Sequence, residues 1–225
     1  MNGADILIRT AVNAGVDTCF ANPGTTEMPL VNALDRIDGI RAVLGLFEGV
    51  CTGAADGYGR MADKPALCLM HLGPGFANGL ANLHNARRAA TPIINVVGEH
   101  ATWHLPYDPP LAMDIAALSG TVSGWSRTVH SAADMSRDMV AAFEAAMAGK
   151  IATLIVPHDY QWSGAEGQRI VSPEIKVPPY DPEPVDRAAK LLRDAKRPAL
   201  LLGGAALTEK GLLTAARIRS AVDCD

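Results

Sequence analysis

Several features are scarce in this chain, and each absence closes off a class of protein. Aromatic residues make up only 5% of the 225 residues, and charged or polar residues interrupt every apolar stretch before it is long enough to cross a bilayer. Asp5 and Arg9 break the apolar character of the amino end, so no export signal is read there. Cysteine is limited to Cys19, Cys51, Cys68 and Cys224, far apart and without a CxxC pair. That pattern fits buried thiols in a reducing compartment better than a metal or disulfide framework, and a cytoplasmic location is expected. Basic charge is also in deficit: 20 Lys and Arg against 24 Asp and Glu leave a net charge of −4, which argues against nucleic acid as a partner. No GK[ST] sequence is present, so a P-loop is excluded.

What the chain does have is apolar periodicity. It is 48% hydrophobic, a globular composition, and long enough for one full domain and a remainder. Helical spacing runs from Ala4 to Val12 and stops at Gly15; Thr18 to Ala21 reads as a short strand. A helix from Glu27 to about Arg36 keeps Pro29 in its first turn. "IRAVLGLF", "PALCLMHL", "PIINVVGE", a segment near Trp125 to Val129 and "IATLIVP" read as strands. Helical segments lie between them, including "GVCTGAADGYGRM", "FANGLANLHNARRA" and Ala132 to Ala148. Apolar strands alternating with helices predict an α/β fold: a doubly wound parallel sheet with helices on both faces. Pro173, Pro178, Pro179, Pro182 and Pro184 then mark a linker over 169–184. Residues 185–225 read as helix, strand and helix, the incomplete beginning of a second α/β domain after a first domain over 1–168.

Within the stretch "GLFEGVCTGAADGYGR", Glu48 stands between an apolar run and a helix with Gly49, Gly53 and Gly57 at four-residue spacing. In a parallel sheet, ligands collect beyond the carboxyl ends of the strands, and Glu48 occupies such an end. The plain alternative is an acid that favours the positive end of its helix. A face without side chains invites another backbone or a flat ligand to approach closely. Burial there disfavours the charged carboxylate, so the acid is suited to sharing or delivering a proton near neutrality.

Two further strand ends carry unusual residues. "HLGPGFANG" places His71, Gly73, Gly75 and Asn78 after the third strand, and "NPGTTE" places Pro23, Gly24 and Thr25 after the first. The glycines at 73, 75 and 79 also approximate a dinucleotide fingerprint, one residue too long and interrupted by proline, with Glu99 as the ribose-binding acid. His100 and His104 are four apart near Asp108 and Asp114, but two histidines in a proline-containing loop do not make a metal site. Trp103 and Tyr107 in that loop read as a cover or a subunit contact, and Arg87 and Arg88 as a solvated helix end.

Together "FANPGTTEMPLVNAL", "LFEGVCTGAADGYGRMADKPA", "GPGFANGLANLHNARRAATPIINVVGE" and "VSGWSRTV" resemble the amino-terminal pyrimidine-binding domain of thiamin-diphosphate enzymes, over about residues 3 to 165. The nearest groups are the acetolactate synthase large-subunit-like proteins and benzoylformate decarboxylase. The resemblance implies that Glu48 is the cofactor-activating glutamate, hydrogen-bonded to the aminopyrimidine of thiamin diphosphate. It implies that His71 moves protons around the reacting 2-oxoacid, as in benzoylformate decarboxylase. It also places Pro23, Gly24, Thr25, Gly73, Gly75 and Asn78 against cofactor or substrate, with Glu99 where the family commonly has glutamine. The family's GDG and distant NN, which hold Mg2+ and the diphosphate, do not occur in these 225 residues. The magnesium ligands are therefore expected outside this segment, the chain alone is expected to be inactive, and the intact enzyme is expected to be a homodimer or tetramer. The implied reaction is acetolactate synthase-like decarboxylation and carboligation of 2-oxoacids. The alternatives are a benzoylformate-type decarboxylase, a dinucleotide-dependent oxidoreductase, or a non-catalytic regulatory domain.

Overall fold

The computed structural model describes residues 1–165, 170–173 and 181–225, so half of the predicted linker lies outside the described residues. The chain divides into two compact units, residues 1–175 and 176–225. The first contains six parallel strands: β1 (Thr18–Asn22), β2 (Arg41–Leu44), β3 (Ala66–Met70), β4 (Ile93–Glu99), β5 (Trp125–Thr128) and β6 (Ile151–Pro157), in the spatial order β2-β1-β3-β4-β6-β5. The doubly wound α/β class predicted from the alternation of elements is the fold observed.

Helices cover both faces, and the period-2 alternation of the strands divides the core between them. Leu67, Leu69, Ile94, Val96, Ala152, Leu154 and Val156 pack with α1 (Gly3–Asn13), α2 (Met28–Arg36) and α6 (Met135–Met147). On the opposite face Cys68, Met70, Ile93, Val97, Ile151 and Ile155 meet α3 (Glu48–Ala62), α4 (Leu72–Arg88) and the short α5 (Ile115–Ser119). A second short helix, α7 (His158–Trp162), follows β6. Neither five-residue helix is long enough to show a periodicity in sequence. All four cysteines are free and buried, as expected.

Four expectations need correction. The run "IRAVLGLF" forms only the four-residue β2, an edge strand with exposed residues, because β1 alone pairs with it. Leu44 and Leu46, read as apolar lining for Glu48, are instead 69% and 89% exposed. In the second unit the helix starts at Pro182 rather than residue 185: α8 (Pro182–Asp194) takes both prolines into its first turn, where no intrahelical N–H is lost, and the Asp181 carboxylate accepts the Glu183 N–H at 3.1 Å. "PALLLGG" is not a strand. Its ordering comes from the last residue, through Leu200 N–H to Asp225 O (2.8 Å) and Asp225 N–H to Pro198 O (3.1 Å), and α9 (Glu209–Val222) runs between.

The α3–α4 pair is packed unusually closely. Thr52 Oγ1 donates to Gly79 O (3.0 Å) and Asn82 Nδ2 donates to Gly49 O (2.7 Å), contacts that need the two backbones near each other. A Cβ on Gly79 would lie 2.8 Å from the Thr52 methyl, and one on Gly53 would lie 3.0 Å from Asn82. Gly57, read as part of the same face, meets nothing within 4 Å and takes no part in the contact. Gly57→Ala is therefore expected to stabilise the protein by about 0.5–1 kcal/mol through helix propensity. Gly79→Val is expected to cost about 1–3 kcal/mol by overpacking. Urea denaturation of the two variants, read as opposite shifts of the midpoint, checks both.

Candidate active site

Chain direction reverses between β1 and β3. From β1 the chain moves outward to β2 through α2 on one face, then returns to β3 and on to β4 through α3 and α4 on the other. The crevice beyond the carboxyl ends at such a switch point is where open α/β sheets hold ligands. Here it receives the turn after β1 and the first residues of α3 and α4.

Glu48 opens α3 and is only 7% exposed. Asn78 Nδ2, on α4, donates to its Oε2 at 3.0 Å. A Cβ on Gly75 would stand 2.7 Å from Oε1, so the glycine leaves the space that the carboxyl fills. No cation pairs with Glu48 among the described residues, and Oε1 has no hydrogen-bond partner there while retaining access to the crevice. The side chain of Phe47, half exposed, packs against Gly49 beside it.

His71 stands at the N-cap position of α4, against the same flank of Gly75 as Glu48. Its Nδ1 lies 2.8 Å from Glu27 Oε2, and Glu27 is fully buried. The same carboxylate accepts the Gly24 N–H (2.7 Å) and the Thr26 hydroxyl (2.5 Å). This contact engages Nδ1 with the carboxylate and leaves Nε2 as the ring nitrogen available to a ligand. Two glycines make room for this pair: a Cβ on Gly98 would overlap the Glu27 carboxyl, and one on Gly24 would overlap the His71 ring.

Of the residues singled out in sequence, Glu48, Gly75, Asn78, His71 and Gly24 converge within this one crevice. Pro23 and Thr25 lie in the turn after β1, and Thr25 lines a cavity shared with His71. Gly73 faces away, since a Cβ there would overlap the Met113 side chain; its smallness serves packing. Gly73 and Gly75, read as lying ahead of a helix that begins at Phe76, belong with Gly79 to the first two turns of α4, whereas a dinucleotide fingerprint needs its glycines in the turn before the helix. Glu27 is a site residue that the sequence did not disclose. Its signal is a capping position three residues after Gly24, together with the solitary Gly98 inside an apolar strand.

The neighbouring loop holds His100 and His104 with ring centroids 5.5 Å apart, and Trp103 stacked on His104. Among the described residues no three side chains form a metal-ligating cluster. Trp103 and Tyr107 are exposed, and Arg87, expected in solvent, donates to Thr121 O at 2.7 Å. Glu99 is buried at the end of β4; burial pushes its acid up, against the smaller opposing effect of the His100 N–H bonded to it at 2.8 Å.

Comparison with known proteins shows the family of the chain and the likeness of its fold. The family model described as thiamine pyrophosphate enzyme, N-terminal TPP binding domain, matches residues 1–118. Over 220 residues the chain is 54% identical to IlvX of Mycobacterium tuberculosis, a protein assigned to the acetolactate synthase large subunits, covering 97% of this chain and 42% of that one. It is 29% identical over 214 residues to the chloroplastic acetolactate synthase of Arabidopsis thaliana, covering 91% of this chain and 32% of that one. The structure of a thiamine diphosphate-dependent 4-hydroxybenzoylformate decarboxylase from Rhodococcus jostii superposes with a TM-score of 0.84 at 24% identity, over 97% of this chain and 43% of that one, a likeness of fold. The chain thus spans less than half the length of these relatives.

Because Glu99 holds its proton to higher pH when folded than when unfolded, it lowers stability above the unfolded value of about 4.3 and has no effect well below it. Glu99→Gln is expected to raise the urea midpoint at pH 7.5 and leave it unchanged near pH 3.5. Gly98→Ala, which forces Glu27 out of its place, is expected to cost more than about 2 kcal/mol in the same assay at pH 7.5.

Proposed function

Since this chain belongs to the thiamine pyrophosphate enzymes, as their N-terminal TPP binding domain, we propose that it is part of an enzyme that decarboxylates 2-oxoacids and joins the product to a second one, in the manner of acetolactate synthase. One observation carries the site assignment: a buried acid at a strand end, without a cation among the described residues, whose unpaired oxygen lies in the space that Gly75 leaves. A neutral carboxyl there fits an aminopyrimidine, because it can donate to a ring nitrogen that an ionised one would repel.

When bound, thiamin diphosphate supplies the carbon nucleophile for the 2-oxo carbonyl and the sink for the electron pair released with carbon dioxide. The protein's share is positional and protonic. Asn78 holds Glu48 Oε2, leaving Oε1 to carry the proton to the pyrimidine. Phe47 and the close α3–α4 contact keep water from the carboxyl. Glu27 fixes the ring of His71 so that Nε2 can exchange a proton with the substrate. Gly24, Pro23 and Thr25 form the facing wall.

The exposed rim of Leu44, Leu46, Phe47 and Val50 beside Glu48 supports a homodimer in which a second subunit closes the crevice. We assign residues 1–168 to the pyrimidine-binding domain, the stretch from 169 up to the start of α8 at Pro182 to a linker, and the residues from Pro182 on to the opening of a central domain. Mg2+ and the diphosphate are assigned to residues beyond this segment. Among the described residues no helix is long and apolar enough to cross a membrane, and we place the enzyme in the cytoplasm. The locked His71–Glu27 pair favours a second reading, a decarboxylase of benzoylformate type that releases an aldehyde.

The test uses full-length protein with thiamin diphosphate and Mg2+, supplied with pyruvate or phenylglyoxylate, and product analysis. An acetohydroxy acid supports the first reading and an aldehyde the second. Glu48→Gln is expected to lower turnover by roughly a hundredfold or more, with no recovery at raised cofactor. Near-normal turnover of that variant would sink the assignment.

A further inference from the structure

Three adjacent strands each deliver a histidine to one cavity. His71 follows β3, His100 follows β4 and His158 follows β6, with Met70 in register with Val97 and Glu99 with Pro157. The cavity holds about 270 Å3, roughly nine waters at their liquid volume, and its walls also include Thr25, Trp103 and His104. We propose that this cavity is a subsite for a hydroxyl group on the substrate's side chain; the proposal rests on the 2-oxoacid reading above and narrows it to hydroxylated 2-oxoacids.

The chemistry of the walls selects that group. Among the described residues no lysine or arginine lines the cavity, so none of them supplies a fixed positive charge for a carboxylate or phosphate. The buried Glu27 carboxylate behind His71 opposes a further anion. Burial pushes both His100 and His158 down, towards neutral imidazole, which offers one donor and one acceptor. His100, which lines the cavity, is 9% exposed; its Nε2 is closed off from solvent and has no hydrogen-bond partner among the described residues, so a polar group makes that deficit good only where the ring turns towards the cavity. A hydroxyl both donates and accepts and so matches neutral imidazoles. Trp103 and Leu111 provide apolar surface for the carbon skeleton.

The wall is held in advance of any ligand. Asp159 accepts both the Thr102 N–H (3.0 Å) and the Thr102 hydroxyl (2.6 Å), tying the loop after His100 to α7. His71 is common to this cavity and to the flank of Gly75 that Glu48 occupies, so a ligand seated here lies next to the proposed reacting centre.

The test compares two pairs of acids that differ by one hydroxyl: 3-hydroxypyruvate against pyruvate, and 4-hydroxyphenylglyoxylate against phenylglyoxylate. Binding is measured by calorimetry on full-length Glu48→Gln protein with cofactor, where turnover does not interfere. In one pair the hydroxylated member is expected to bind roughly tenfold tighter, and which pair it is separates an aliphatic from an aromatic hydroxyl. Adding His100→Phe should bring that ratio close to one, while His100→Gln should preserve most of it. Thiamin diphosphate binding reports whether each variant is folded, and His158→Phe is read in the same way if His100→Phe is not. Equal or weaker binding of the hydroxylated acid in both pairs overturns the subsite, as does a ratio that survives the Phe substitutions. A flat ratio in a protein that still turns over pyruvate or phenylglyoxylate through Glu48 overturns the subsite alone. Failure of the wider reading shows instead as no turnover of any of the four acids by the unsubstituted protein.

Discussion

The close approach of α3 and α4 is the constraint from which the geometry of the crevice derives. Gly49 and Gly53 on one helix and Gly79 on the other remove the side chains that would hold the backbones apart. Hydrogen bonds from Thr52 and Asn82 to carbonyls of the facing helix then replace side-chain packing with a defined distance. That distance brings Asn78 within reach of Glu48. A helix pair separated by ordinary side chains, at about 8–10 Å between axes, would leave the acid without its partner.

A second theme is the burial of acids without cations. Glu27, Glu48 and Glu99 all lie at strand ends on one side of the sheet, and none is neutralised by lysine or arginine among the described residues. Burying an ionised carboxylate alone is costly, so each is accommodated differently. Glu27 takes three donors, including an imidazole; Glu48 takes one amide and keeps an oxygen towards the crevice; Glu99 takes one backbone N–H and is biased to its neutral form. The gradient from fully satisfied to partly satisfied runs from the structural acid to the ones that face open space.

Much of this was legible in the chain. Apolar runs of strand length alternating with helical segments specified the parallel sheet, and the concentration of glycine, proline and acid at three strand ends marked the crevice. The edge position of β2 was not legible, because "IRAVLGLF" is as apolar as a central strand and only pairing decides how many neighbours it has. The Glu27–His71 pair was also hidden. Its members are 44 residues apart, and the two glycines that admit them, Gly24 and Gly98, belong to different strand ends.

Sequence by itself determined the class of fold and the likeness to a family, and it singled out Glu48 as a candidate, since periodicity and local motifs are properties of neighbours along the chain. Tertiary structure alone decided which glycines matter. Gly57 lies on the same helix as Gly49 and Gly53 yet meets open space, while Gly98 makes room for a carboxyl from another strand end. Whether a missing side chain is a vacancy or a seat depends on what the rest of the fold brings against it, and that is a matter of distance in space, which spacing along the chain does not contain.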